Sequence, residues 1–220
     1  MTAILARASA KAVVDTILHS GSAHVLAMNA RGSLMKEKWW HFFLPTLSPE
    51  QEILSFLVPE SDTDHLMEEI AMAGKLNLYG SGAIYAINCD MYAPADDFPQ
   101  WKPGRYQFVS EDFDIRFKEN LVALTHIVDR GETDAIVKAA IKAGSQGPTI
   151  SYVRGYGLRD RLGLLRITKN HDKEMITAVV DECDVDAVFD AMAEAGKINE
   201  PGRGYIYKSS VKRGLTNLAS

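Results

Sequence analysis

The chain has 220 residues, 46% of them hydrophobic and 24% charged, a composition that supports packed cores and excludes a disordered or fibrous polymer. Its net charge of −5 offers no basic surface for a phosphate backbone, so no nucleic-acid partner is expected. No apolar run reaches the roughly 18 residues of a membrane span, and residues 1–14 lack the charged-then-apolar pattern of a secretory leader.

In chain order, Val13, Val14, Ile17 and Leu18 recur at helical spacing, and Gly21 ends that helix. His24 to Met28 reads as a strand. Trp39-Trp40-His41-Phe42-Phe43 reads either as a strand buried at an interface or as the lining of a ligand pocket. Ile53 to Val58, with only Ser55 polar, is a strand apolar on both faces. Asp62, Leu66, Met67 and Ile70 predict a second helix closed by Gly74. Gly80-Ser81-Gly82 reads as a hairpin or bulge leading to a last strand. Pro94, Pro99 and Pro103, with Asp96-Asp97, then mark a linker. Its aromatic residues Trp101, Tyr106 and Phe108 predict that it packs on a surface.

After the linker the order returns. Leu121 to Val128 is a strand, and Thr133 caps a helix through Ala143 that Gly144 ends. Thr149 to Arg154 is the next strand, and Leu164 to Ile167 and Met175 to Val180 are further extended runs. Asp184 caps a helix carrying Val185, Val188, Phe189 and Met192, Gly196 closes it, and Tyr205 to Tyr207 opens a last strand.

The two halves are copies. Glu52–Asn88 aligns without a gap on Glu174–Ser210, 122 positions on, with 14 of 37 pairs identical, where ordinary usage gives about two or three by chance. Arg31-Gly32 matches Arg154-Gly155 at an offset of 123, so a one-residue length difference lies between Gly32 and Glu52. The expected fold class is α+β, with two tandem ferredoxin-like βαββαβ domains whose antiparallel sheets carry helices on one face. The expected division is residues 1–92, a linker at 93–117, and residues 118–220. The strands are apolar on both faces, so the open sheet faces should pack on other sheets, in the chain or in an oligomer.

Cys89 and Cys183 have no metal-ligand spacing and read as buried thiols of a reducing compartment, hence a cytoplasmic location. The histidines His19, His24, His41, His65, His126 and His171 show no ligand-like pairing, so no metal site is expected. No P-loop or Gly-x-Ser-x-Gly is present, and no Cys/His pair is placed for catalysis, so no catalytic residue is assigned.

Val153-Arg154-Gly155-Tyr156-Gly157, Ile176 to Asp181, Ala195-Gly196-Lys197-Ile198 and Gly202-Arg203-Gly204-Tyr205-Ile206-Tyr207 occur in an order that resembles the PII nitrogen-regulatory signalling proteins. The resemblance covers Asn120 to Gly214, and the first half more weakly. It implies a cytoplasmic, non-catalytic regulator, assembled as a trimer, that binds adenine nucleotide (ATP, ADP or AMP) between subunits and acts on a membrane transporter or an enzyme of nitrogen metabolism. By the same resemblance Gly155, Tyr156 and Gly157 lie at the base of a protruding loop. Lys197, Gly202, Arg203 and Gly204 lie near the phosphates, and Arg159, Asp160 and Arg161 form the partner-contacting tip. The chemistry agrees, because glycines let backbone N–H groups approach an anion and Arg203 adds charge. Gly80-Ser81-Gly82 keeps the glycines without the charge. Glu200 would repel a phosphate, and the short loop Leu158 to Gly163 gives no support for modification of a loop tyrosine.

Other readings carry their own signs. A dimeric α+β barrel enzyme would line a pocket with Trp39, Trp40, His41 and His126. A CutA-type trimer would share the fold without the nucleotide. Gly196-Lys197 also reads as an ordinary helix end with a cation near the dipole.

Overall fold

The computed structural model describes residues 1–21, 25–32, 50–78, 80–90, 116–154 and 172–216. The first half runs β1 (Thr2–Ala6), α1 (Arg7–His19), β2 (Leu26–Gly32), β3 (Glu50–Ser55), α2 (Thr63–Ala73) and β4 (Gly82–Ala86). The second runs β5 (Leu121–Asp129), α3 (Thr133–Lys142), β6 (Thr149–Arg154), β7 (Asp172–Asp181), α4 (Val185–Ala195) and β8 (Tyr205–Ser210), followed by β9 (Arg213–Thr216).

Each half has the expected ferredoxin-like order, but the two sheets are not separate. All nine strands form one sheet in the order β8-β5-β7-β6-β2-β3-β1-β4-β9. The join is antiparallel, with Ala30 opposite Ser151, Arg31 opposite Ile150 and Gly32 opposite Thr149. The other join is a corner. After β8, the Val211 N–H donates to the Leu121 carbonyl at 3.2 Å and the Lys212 N–H to the Ala86 carbonyl at 2.8 Å. The chain then pairs as β9 along β4. Because β8 and β9 are neighbours in sequence yet stand at opposite ends of the strand order, the sheet curls back on itself.

The helices cover one face of each half. Leu5, Val13, Ile17, Leu54, Leu66 and Ile70 form the first core, and Leu124, Val128, Ile136, Ile176, Val188 and Met192 the second. Each such side chain contributes about 1.5–3 kcal/mol by leaving water. The opposite face has its own core, in which Ile4, Ala30, Ile53 and Tyr85 of the first half meet Leu121 and Ala123 of the second. Strands apolar on both faces are thereby buried on both, within one chain.

Several local expectations are corrected. Thr133 does not cap α3; it is the first helical residue, and its hydroxyl donates to Glu174 at 3.0 Å. Asp184 holds the N-cap position of α4 without a side-chain cap bond, because a short 3-10 turn, Glu182–Asp184, precedes the helix. Gly196 does close α4, as expected, but at φ −79°, and Lys197 takes φ +51°. The first half repeats this, with Gly74 at φ −81° and Lys75 at φ +53°. These glycines serve contact instead. A Cβ on Gly196 would lie 2.3 Å from His126 Cε1, and one on Gly74 would lie 2.9 Å from Leu5 Cδ2. Gly144, by contrast, does adopt φ +116°. Cys89 and Cys183 are exposed rather than buried. The Trp39 to Phe43 run, the second-half run Leu164 to Ile167, and Trp101, Tyr106 and Phe108 lie outside the described residues.

Candidate functional site

The second half gathers its charged side chains around one end of its sheet. Asp129, Arg130, Gly131 and Glu132 end β5 and lead into α3, Arg154 ends β6, and Asp172 and Lys173 begin β7. A cavity of about 310 Å³ lies there, lined by Arg130, Tyr152, Val153, Arg154, Asp172 and Lys173. Three of those six side chains are cationic and one is anionic. Lys173 is hydrogen-bonded to Asp129. The Arg130 guanidinium stands 5.4 Å from the centroid of the Tyr152 ring, and its Nη1 lies 3.5 Å from Asp172. An anion reaching this cavity meets guanidinium and ammonium groups already oriented by aspartates.

Beside it, Arg203 is clasped by two carboxylates. Its Nη1 donates to Glu132 at 2.6 Å and its Nε to Glu200 at 2.9 Å. Those contacts, with the Glu200 hydrogen bond foremost, hold the guanidinium in its charged form. Arg203 thus ties the turn before β8 to the turn before α3. Gly202 and Gly204, at φ +86° and +94°, make the tight path possible. For Gly204 space matters as much as φ, since a Cβ would lie 1.8 Å from the Ile127 carbonyl oxygen. The matching glycine of the first half, Gly82, would place a Cβ 2.0 Å from the Ile4 carbonyl oxygen. The glycine kept in both copies is therefore required by the backbone crossing of the first strand.

A buried ionic cluster adjoins the same turn. Glu174, 2% exposed, accepts from the Gly131 N–H and the Thr133 hydroxyl, each at 3.0 Å. From the first half, Arg31 places Nη2 3.6 Å from Glu174 and donates to Thr133 Oγ1 at 3.1 Å. The strand junction thus carries one arginine of one copy into the polar cluster of the other.

His126 is fully buried beneath the end of α4, with neither ring nitrogen hydrogen-bonded among the described residues. Burial lowers its pKa to about 4, so the ring is neutral at pH 7.

Of the site residues expected from sequence, Lys197, Gly202, Arg203 and Gly204 fall together on the turn between α4 and β8. Gly155, Tyr156, Gly157, Arg159, Asp160 and Arg161 lie outside the described residues. Sequence reasoning did not pick out Arg130, Glu132, Lys173 or Glu174. One signal for the last was present, since Glu174 is identical to its counterpart Glu52. Among the described residues, no group of three or more His, Cys, Asp or Glu side chains is placed to hold a metal. No helix among them is long and apolar enough to cross a membrane.

No curated protein matches the chain. Among solved structures, the crystal structure of Arabidopsis thaliana PII bound to citrate aligns at 24% identity over 43% of this chain and 78% of that one, with a TM-score of 0.35. A family model described as nitrogen regulatory protein P-II matches residues 122–214. That span runs from β5 into β9 and contains the cavity, the Arg203 clasp and the buried glutamate. The second half of this chain, residues 122–214, is thus P-II-like.

Proposed function

We propose that the chain is a non-catalytic, P-II-like regulatory protein that senses a small anionic effector and passes the signal to a transporter or an enzyme. The observation that carries this reading is the P-II match over residues 122–214, which spans the cationic cavity at Arg130, Arg154 and Lys173. The first half is read as a second domain of the same kind, on its repeated sequence and strand order.

Adenine nucleotide is the effector class proposed, with the base in an intersubunit cleft of a cytoplasmic homotrimer. The phosphates would engage the turn at Lys197, Gly202, Arg203 and Gly204, and the loop base at Gly155, Tyr156 and Gly157 would close on them. Arg159, Asp160 and Arg161 would then meet the partner. Arg203 already satisfies Glu132 and Glu200, so a phosphate must displace at least one carboxylate from it. That exchange is a physical basis for signalling: the effector would release the turn before α3 and bias the loop that follows β6, a population shift rather than chemistry.

Isothermal titration with ATP, ADP and AMP, with and without Mg²⁺, tests this. Micromolar binding weakened about tenfold or more by Arg203→Ala supports the assignment. Equal affinity in the variant would move the phosphates away from Arg203.

A further inference from the structure

The two halves present the same strand edge in two states. In the first half the outer edge of β4 is covered by β9, with Ala86 opposite Arg213, Tyr85 opposite Gly214, Ile84 opposite Leu215 and Ala83 opposite Thr216. Two cations secure that strand: Lys212 is hydrogen-bonded to Glu60, and Arg213 Nη1 lies 2.8 Å from Asp64. In the second half β8 is the end strand of the sheet, and nothing among the described residues pairs with its outer edge.

Exposure differs as well. Tyr85 belongs to the core on the helix-free face of the sheet and is 6% exposed, while its counterpart Tyr207 is 45% exposed and Tyr205 is 58%. The carboxylates repeat as well. Glu182 and Asp186 stand 122 positions after Glu60 and Asp64, and neither has an ion pair among the described residues. An edge left unpaired among the described residues, beside acids without an ion pair among them, is a ready site for strand addition.

The chain's own corresponding residues do not suit it. The positions 122 before Lys212, Arg213 and Gly214 hold Asp90, Met91 and Tyr92. Asp90 would bring like charge to Glu182. Tyr92 would replace a glycine at a place where a Cβ is only 3.2 Å from both Ile84 O and Tyr85 Cβ in the filled copy.

We propose that the outer edge of β8, together with Glu182, is a docking site for an extended peptide segment of a partner protein, added antiparallel to β8. The segment carries a lysine facing Glu182, then a neutral residue, a glycine opposite Tyr207 and an apolar residue opposite Ile206. The neutral residue follows from Lys208, which replaces Ala86 and would face a second cation at the place Arg213 takes in the first half. Main-chain hydrogen bonds supply affinity, and the lysine and glycine supply selectivity. The proposal is independent of nucleotide binding.

The test is an amide-resolved NMR titration of the full chain with Val-Lys-Thr-Gly-Leu-Thr, a peptide patterned on residues 211–216. Saturable shifts at Tyr205, Ile206, Tyr207 and Lys208 are expected, weakening with salt. Glu182→Lys, or glutamate in place of the peptide's lysine, should weaken binding about tenfold; the peptide variant needs no change to the protein. Absence of shifts at those amides up to several millimolar peptide overturns the proposal, as does equal affinity of the charge-reversed peptide. Hydrogen-exchange protection of the β8 edge in the monomer without peptide also overturns it, because the chain then fills its own edge. Concentration-dependent dimerisation that protects the same amides overturns it in favour of a second copy.

Discussion

Gly204 and Gly131 share the same backbone angle, φ +94°, but differ in the space around them. A Cβ on Gly131 would meet nothing within 4 Å, whereas one on Gly204 would lie 1.8 Å from the Ile127 carbonyl oxygen. The substitutions Gly131→Ala and Gly204→Ala therefore separate conformational cost from steric cost. A left-handed angle costs an L-residue about 1–2 kcal/mol, and this is the whole penalty expected for Gly131→Ala. Gly204→Ala adds an overpacking cost of about 1–3 kcal/mol or more, because the atom in the way is backbone and cannot change rotamer. The totals are about 1–2 against about 2–5 kcal/mol, and for a chain of this length each kcal/mol lowers Tm by about 2–4 °C. Urea denaturation of both variants, with m-values checked for equality, gives the comparison. If Gly204→Ala costs no more than Gly131→Ala, the backbone crossing of β5 is not what holds this glycine, and the anion-binding reading of Gly202-Arg203-Gly204 gains weight.

The neutral, buried His126 makes stability depend on acid. Its folded pKa is near 4 and its unfolded value about 6.5, so the unfolded chain takes the proton first and stability falls as pH drops from about 6.5 to 4. The loss approaches about 3 kcal/mol; urea midpoints at pH 7 and pH 5 should converge in His126→Leu, and an undiminished pH slope in that variant would assign the loss to other groups. Arg31→Met should destabilise by about 2–4 kcal/mol by leaving the buried Glu174 without its cation. Adding Glu174→Gln should recover part of that loss, and strict additivity of the two changes would show that they do not interact. Burial raises the pKa of Tyr85, so its neutral form stabilises the fold and stability should fall above about pH 10 as the unfolded chain ionises first. Tyr85→Phe should remove that part of the alkaline slope, read by the same midpoints.

The element order was legible because both halves state it in apolar periodicity, and the 122-residue offset survives in the pairing, where Leu5 opposes Glu52 and Val128 opposes Glu174. The union of the two sheets was not legible. It depends on three residue pairs between β2 and β6 and on a corner at Val211 and Lys212, and backbone pairing of that kind leaves no side-chain period. A glycine at a helix end usually takes the left-handed angle. Here the next residue, Lys197 or Lys75, takes the positive φ, and the glycine makes room for His126 or Leu5. Arg203 was legible as a charge between glycines. Its carboxylate partner Glu132 was not, being 71 residues away on another turn. The buried Glu174 was visible only as one identical pair among 14.

Titration of the purified chain with adenine nucleotides, repeated on Arg203→Ala and on Lys173→Ala, tests the central claim most directly. The account predicts saturable micromolar binding of at least one nucleotide, weakened about tenfold or more by Arg203→Ala and less by Lys173→Ala, which only borders the cavity. Absence of heat for ATP, ADP and AMP in the folded wild-type chain, with and without Mg²⁺, would contradict it.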